Sequence, residues 1–247
     1  MTSTATQNNS QLVGLEPLFR NDASPPKFSE KWMWARDASG GQKPQQFTIK
    51  KRLGKGSFGI VSLIERDDIV QGKSLPYAAK VATKNSGEGE ETDSKIKGCA
   101  WSEACILPQL NHKHVIKCFG AFENDTSWII VLEYISGGNL FERLESASKF
   151  SEKHAAHYIK QALDAVKYIH SKDIMHRDIK TENFLIRVKH SSPSDEEIVL
   201  SDFGFASSKN KEYIGCGSPV YTAPEIFKKF ADMVGFYKNE VDIWSIG

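Results

Sequence analysis

The chain has 247 residues, a formal net charge of +1 at pH 7, 40% hydrophobic residues and 26% charged ones. That length supports one or two folded cores. The near balance of charge gives no electrostatic reason to expect nucleic acid or an anionic membrane as a partner. The four cysteines, Cys99, Cys105, Cys118 and Cys216, form neither a CxxC pair nor a disulfide framework, which fits a reducing compartment. Each reads first as a small buried residue. The longest apolar run, WIIVL at 128–132, is too short to span a bilayer. The N-terminus MTSTATQNNS lacks a basic-then-apolar signal and has Thr2 where myristoylation needs glycine. The expected location is the cytoplasm, with the nucleus left open.

Residues 1–46, rich in Ser, Thr, Asn, Gln and Pro, are expected to form a disordered extension, although Trp32 and Trp34 offer a docking pair. From Phe47 the pattern becomes globular. FTIKKRL at 47–53, IVSLIE at 60–65, YAAKVA at 77–82, IKCFGAF at 116–122 and SWIIVLEY at 127–134 read as strands bounded by turn residues. A helix is predicted over 95–107, and Pro108 should end or kink it, because proline lacks a donor and disfavours helix at the preceding residue. After Glu133 the period changes. Ala155, Ile159, Ala162, Val166 and Ile169 mark the inward stripe of a long helix with Ser151 as its N-cap. A strand-rich part, 47–134, therefore precedes a helix-rich part, 135–247, and a cleft between two such lobes is where a ligand would sit.

LGKGSFGIV at 53–61 places glycines at 54, 56 and 59, where the missing Cβ lets backbone approach a phosphate. A plain glycine-rich hairpin remains open as a reading. A dinucleotide fingerprint does not fit, because the run continues into a strand and not a helix. On the predicted helix, Ile96, Ala100, Glu103 and Leu107 share one face, so a carboxylate lies among apolar residues. Such a group needs a cation, and Lys80, flanked by Tyr77, Ala78, Ala79, Val81 and Ala82, is the best candidate unless both side chains reach solvent.

HRDIKTENFL at 176–185 and DFG at 202–204 set charged groups among Ile174, Ile179, Phe184 and Leu185, which is costly unless ions or partners satisfy them. Asp178, Asp202 and the amide oxygen of Asn183 are hard oxygen donors of the kind that suit Mg²⁺ with phosphate. One carboxylate must stay free of metal to orient an attacking hydroxyl, and Asp178 fits that task. Asp202 and Asn183 fit the metal. Lys180 adds positive charge where a transferred group becomes most negative.

These motifs, with EYISGGNL at 133–140, APE at 223–225 and DIWSIG at 242–247, resemble the eukaryotic protein kinase family, in order along the chain. The resemblance implies an α+β, two-lobe kinase fold with ATP at the hinge. It implies a phosphate-covering loop of Leu53, Gly54, Gly56, Ser57, Phe58 and Gly59, with Lys80 and Glu103 as the lysine–glutamate pair. Leu132 would be the gatekeeper, Glu133 and Ile135 would offer backbone groups to adenine, and Val61, Ala78 and Leu185 would sandwich the ring. Asp178 and Lys180 would be catalytic, and Asn183 and Asp202 would hold Mg²⁺.

Lys180 and Ser218 are similar to the serine/threonine pattern, in which the loop hydroxyl braces the catalytic aspartate, and GGNLFERL with CGSPVY resembles the calcium/calmodulin-dependent group. Expected partners are proteins with Ser or Thr acceptors and a regulatory protein. Asn139 stands where kinases of that group that favour an upstream arginine carry Glu, and Glu182 could replace that charge only in part. Arg177 would receive a phosphate on the activation segment, but Ile214 stands where related kinases carry a phosphorylated Thr. Activity is therefore expected without phosphorylation of that segment. Ser207, Ser208 and Tyr213 are the alternative acceptors and read first as exposed loop residues. Kinase domains continue for several helices past DIWSIG, which would leave Glu225 without its usual arginine. A truncated chain acting as a binding or interfering module is the alternative to an active kinase.

Overall fold

The computed structural model describes residues 16–17, 34–36, 42–44, 47–56, 59–66, 76–83, 90–123, 127–188, 196–209, 212, 215–230 and 235–247. Two compact units result: residues 1–93 with 119–134, and residues 94–118 with 135–247. Most of the 1–46 extension lies outside the described residues. Within it, β1 (Glu16–Pro17), β2 (Trp34–Arg36) and β3 (Gln42–Pro44) are short strands, β2 and β3 pairing with each other.

The first unit is a six-stranded sheet made by β1, β4 (Phe47–Gly56), β5 (Gly59–Arg66), β6 (Pro76–Thr83), β7 (Cys118–Glu123) and β8 (Ser127–Glu133), in the order β1-β7-β8-β6-β5-β4. The β-rich runs become strands because branched and aromatic side chains alternate across a pleated surface. Residues opposite one another share a face, so the register sorts the sheet into two sides. Ile64, Tyr77, Ala79, Ile129 and Val131 form a buried cluster on one side, with Ile49, Val81 and Phe119 packed against it. The rings of Tyr77 and Phe119 meet edge to face at 5.1 Å. The other side carries Val61 opposite Lys80, and Ala78 opposite Leu132.

α1 (Glu90–Ile106), which belongs to the second unit from Ser94 onward, begins earlier than predicted and stops where the sequence requires. Pro108 lies in a 3-10 turn, Leu107–Gln109, that replaces the next helical turn. Ala100, Glu103 and Leu107 are buried as expected; the side chain of Ile96 lies outside the described residues. The predicted strand at 116–122 starts two residues late, at Cys118, because Ile116 donates its N–H to the Leu200 carbonyl at 2.9 Å instead.

α2 (Leu140–Ala147) is followed by the long helix α3 (Glu152–His170), whose N-cap Ser151 accepts the His154 N–H at 3.3 Å. Ala162, Val166 and Ile169 are buried on α3, but Ile159, expected beside them, is 43% exposed. The buried face is turned toward Tyr158 and Gln161, because these grip the hairpin of β9 (Phe184–Val188) and β10 (Glu196–Leu200). Tyr158 donates to Glu196 Oε2 at 2.6 Å, and Gln161 Oε1 accepts the Ile198 N–H at 2.9 Å. Ile186, Ile198, Val199 and Leu200 are fully buried in this hairpin. α4 (Pro224–Phe230) and α5 (Glu240–Trp244) follow, and Ala223, Ile226, Tyr237 and Val241 form their core. Among the described residues no helix is long and apolar enough to cross a membrane. No disulfide links the four cysteines; Cys216 is buried and the other three are half-buried.

Candidate functional site

The loop between α3 and β9 is fastened before it carries any chemistry. Met175 and Ser207 exchange backbone hydrogen bonds of 2.8 and 2.9 Å. His176 is fully buried, its ring edge against Phe203 with centroids 4.7 Å apart. Its Nδ1 accepts the Asp178 N–H at 3.3 Å, so the proton sits on Nε2, which donates to the Ser201 carbonyl at 3.0 Å. Burial pushes this imidazole below its usual pKa, against the raising pull of Asp242 and the Ser201 carbonyl. Ser201 in turn holds Asn183, whose carbonyl accepts both the Ser201 N–H at 2.8 Å and its hydroxyl at 2.9 Å. Asp202 follows directly with φ 57° and ψ 70°, a left-handed backbone.

Asp178 stands at the centre. Its Oδ1 accepts the Ser218 hydroxyl at 2.8 Å, and its Oδ2 meets Lys180 Nζ at 2.9 Å and Asn183 Nδ2 at 3.1 Å. Lys180 Nζ also donates to Ser218 Oγ at 2.8 Å, which closes a small ring of charge and hydroxyl. Asn183 Nδ2 donates further to the Asp178 carbonyl at 2.7 Å. Ser218 is held from behind, its carbonyl accepting the Thr222 hydroxyl at 2.7 Å. Gly217 has φ 103°, and a Cβ there would lie 2.6 Å from the Arg177 carbonyl oxygen, so this close approach requires glycine.

In the first unit, Gly54, Gly56 and Gly59 lie in the β4–β5 hairpin, and Ser57 and Phe58 lie outside the described residues. A Cβ on Gly59 would collide with the Val81 carbonyl, and one on Gly56 would lie 3.1 Å from Lys80 Cε. Gly54 faces open space. Leu53 sits at an irregularity of β4 and is 38% exposed. Val61, Ala78, Lys80 and Leu132 share one face of the sheet, and Glu133 ends β8. In the second unit, Glu103 is buried on α1, Ile135 opens the stretch before α2, and Leu185 on β9 pairs with Val199 and bridges Asn139.

Asn139 has an occupation of its own. It is the N-cap of α2, accepting the Glu142 N–H at 2.9 Å, while Glu142 Oε2 accepts the Asn139 N–H at 3.2 Å. Glu182 is exposed. Ser207, expected to be an exposed loop residue, is buried with its hydroxyl donated to Glu212; Ser208 is exposed. Tyr213 and Ile214 lie outside the described residues. Asp242, Tyr237 and Glu212, all buried, were not singled out from the sequence as site residues. Asp242 opens the DIWSIG motif and lies between the apolar Val241 and Ile243, but neither signal names its partners.

The family model described as protein kinase domain matches residues 47–247. The chain belongs to the protein kinase family. It is 34% identical over 207 residues to a serine/threonine-protein kinase H1 homolog of Danio rerio, covering 82% of this chain and 44% of that protein. It is 36% identical over 205 residues to human calcium/calmodulin-dependent protein kinase type IV, covering 81% and 39%. With calcium/calmodulin-dependent protein kinase type 1 of Macrobrachium nipponense it shares 30% identity over 236 residues, covering 94% and 62%. This kinase chain thus spans less than two thirds of each of these relatives. Its sheet unit and helical unit are those of the α+β kinase fold, and its relatives are of the serine/threonine type.

Proposed function

We propose that the chain transfers the γ-phosphoryl group of ATP to serine and threonine hydroxyls of protein substrates, with Mg²⁺ as its metal. The observation that carries this reading is the buried Asp178 carboxylate, held by Ser218 on one oxygen and by Lys180 and Asn183 on the other.

The donor set fits the metal. Asn183 commits its nitrogen to Asp178, and its Oδ1 accepts no hydrogen bond among the described residues, which leaves a hard oxygen. The Asp202 carboxylate is the second. Two protein oxygens suffice for Mg²⁺, which keeps waters and phosphate oxygens in its shell. Bound there, Mg²⁺ supplies the charge that neutralises phosphate oxygens.

The remaining roles follow the family pattern. Lys80, with Glu103 as its partner, positions phosphates under Leu53, Gly54, Gly56, Ser57, Phe58 and Gly59. Val61, Ala78, Leu132 and Leu185 contact adenine, and Glu133 and Ile135 offer it backbone groups. Asp178 orients the acceptor hydroxyl and takes its proton as the new oxygen–phosphorus bond forms; the terminal phosphorus–oxygen bond breaks and ADP leaves. Lys180 places its ammonium beside the reacting oxygens. The regulatory partner rests on the likeness to the calcium/calmodulin-dependent kinases, and the cytoplasmic location on the cysteine pattern.

The test is incubation of the chain with ATP, Mg²⁺ and peptide libraries fixed at Ser, Thr or Tyr. Phosphate should enter the Ser and Thr libraries. Incorporation into the Tyr library alone, or none in any library, overturns the proposal.

A further inference from the structure

Glu212 lies between DFG and APE, in the segment that leads from Asp202 to Ser218, and it is 4% exposed. Its backbone exchanges two hydrogen bonds of 3.0 Å with Tyr237. Its carboxylate accepts the Ser207 hydroxyl and lies 3.7 Å from Arg177 Nη1 and 3.7 Å from Lys209 Nζ. Lys209 is 73% exposed, so that pair adds little. The Arg177 pair is different, because the two side chains are only 12% and 6% exposed and their attraction is weakly screened. Among the described residues Glu212 is the one carboxylate that ion-pairs with this guanidinium.

Arg177 is tied down in every direction. Its Nε donates to the Phe205 carbonyl at 2.6 Å and its Nη1 to the Tyr237 hydroxyl at 3.1 Å. Its backbone is left-handed, with φ 68°, and its carbonyl faces Gly217. Asp178 is the next residue, so a shift at Arg177 is a shift at Asp178. A guanidinium so largely removed from water would be unfavourable there without an anion. A phosphate on this segment would supply such an anion. Here a carboxylate of the segment itself is already in contact.

We infer that Glu212 is a positioning residue for phosphoryl transfer: its carboxylate is the built-in anion that neutralises Arg177 and ties Ser207 and Glu212 to the catalytic loop. The segment needs no phosphate to reach its working geometry. The inference rests on the phosphoryl-transfer reading above.

The test compares the wild-type chain with Glu212→Gln, Glu212→Asp, Arg177→Gln and the Arg177→Gln/Glu212→Gln double variant. All are expressed with a phosphatase and confirmed unphosphorylated by mass spectrometry. Glutamine keeps the size and can still accept the Ser207 hydroxyl, so it removes only the charge. Unphosphorylated wild type should turn over. Glu212→Gln should lower kcat by about tenfold to a hundredfold, the scale of a misplaced catalytic group. KM for ATP should change by less than about threefold, because Glu212 is assigned no contact with the nucleotide. Glu212→Asp should regain part of the loss, and the double variant should be no slower than Arg177→Gln.

Wild-type kcat in Glu212→Gln overturns the inference, as do independent, additive losses in the double variant. Turnover that appears only after phosphorylation of Ser208 or Tyr213 overturns it as well. Amide hydrogen exchange over residues 205–217 should quicken in Glu212→Gln, and unchanged exchange would show that the carboxylate holds nothing. If wild type turns over no acceptor in either the unphosphorylated or the phosphorylated state, the phosphoryl-transfer reading fails separately, and the exchange comparison still decides whether Glu212 clamps the segment.

Discussion

The carboxylate of Asp242 accepts the backbone N–H of Arg177 at 2.8 Å, and its second oxygen accepts the N–H of His176, also at 2.8 Å. His170 Nε2 meets that second oxygen at 2.8 Å. Asp242 is fully buried on α5, so the loop bearing Asp178 hangs from the helix named by the DIW motif. The bonds hold Arg177 at φ 68°, a conformation that costs an L-residue about 1–2 kcal/mol.

Asp242→Asn should therefore destabilise the chain and loosen the loop together. An amide presents one acceptor where two N–H groups need one each, and its NH₂ faces a donor. The expected loss is on the order of 3 kcal/mol, with a fall in turnover. A urea midpoint equal to wild type at unchanged slope would show that the loop is held elsewhere.

The two carboxylates of the proposed chemistry should separate kinetically. Asp178→Asn should abolish transfer while nucleotide affinity stays near normal, whereas Asp202→Asn should weaken Mg²⁺-dependent ATP binding. Isothermal titration with ATP and Mg²⁺ checks this. Equal losses of affinity would remove the division of labour.

Glycines that look alike in the sequence should respond differently. Gly217→Ala forces a Cβ to 2.6 Å from the Arg177 carbonyl at a positive φ, and should cost about 1–3 kcal/mol along with activity. Gly54 has open space around the position of a Cβ, so Gly54→Ala should leave the unfolding free energy from urea titration within about 1 kcal/mol of wild type. Matching midpoints for the two variants would contradict the packing described for Gly217.

Stability should also fall in mild acid. Burial keeps the imidazoles of His176 and His114 below their usual pKa, in His114 against a raising bond to the Ile198 carbonyl. The folded value lies below the unfolded one, so the unfolded chain binds more protons as pH drops. The stability these residues contribute is complete above the unfolded value of about 6.5 and is lost as pH falls through it. Urea midpoints should be level between about pH 8 and 7 and decline between about pH 6.5 and 5. The slope approaches about 1.4 kcal/mol per pH unit for each proton taken up. His114→Gln should flatten it. A midpoint that rises toward acid would mean that these imidazoles are charged in the folded chain.

Much of the architecture is legible locally. Alternation in YAAKVA and SWIIVLEY, the Ser151 cap and the Pro108 break each depend on residues within a turn or two of one another, and the strands and helices form there. The kinase motifs are equally local, which is why the family could be named before any contact was known.

What the tertiary structure decided is partnership. Ile159 satisfies the helical period yet is exposed, because Tyr158 and Gln161 bind β10 and turn the buried face toward themselves. Asn139 caps α2, a use that depends on the backbone angle at which the chain enters the helix. Glu212 reads as one more acid in a polar loop until Tyr237 and Arg177 are brought against it. A side chain's period and cap are set by its neighbours in sequence. Which charge meets which, and which face loses its water, is set by segments that arrive from elsewhere in the chain.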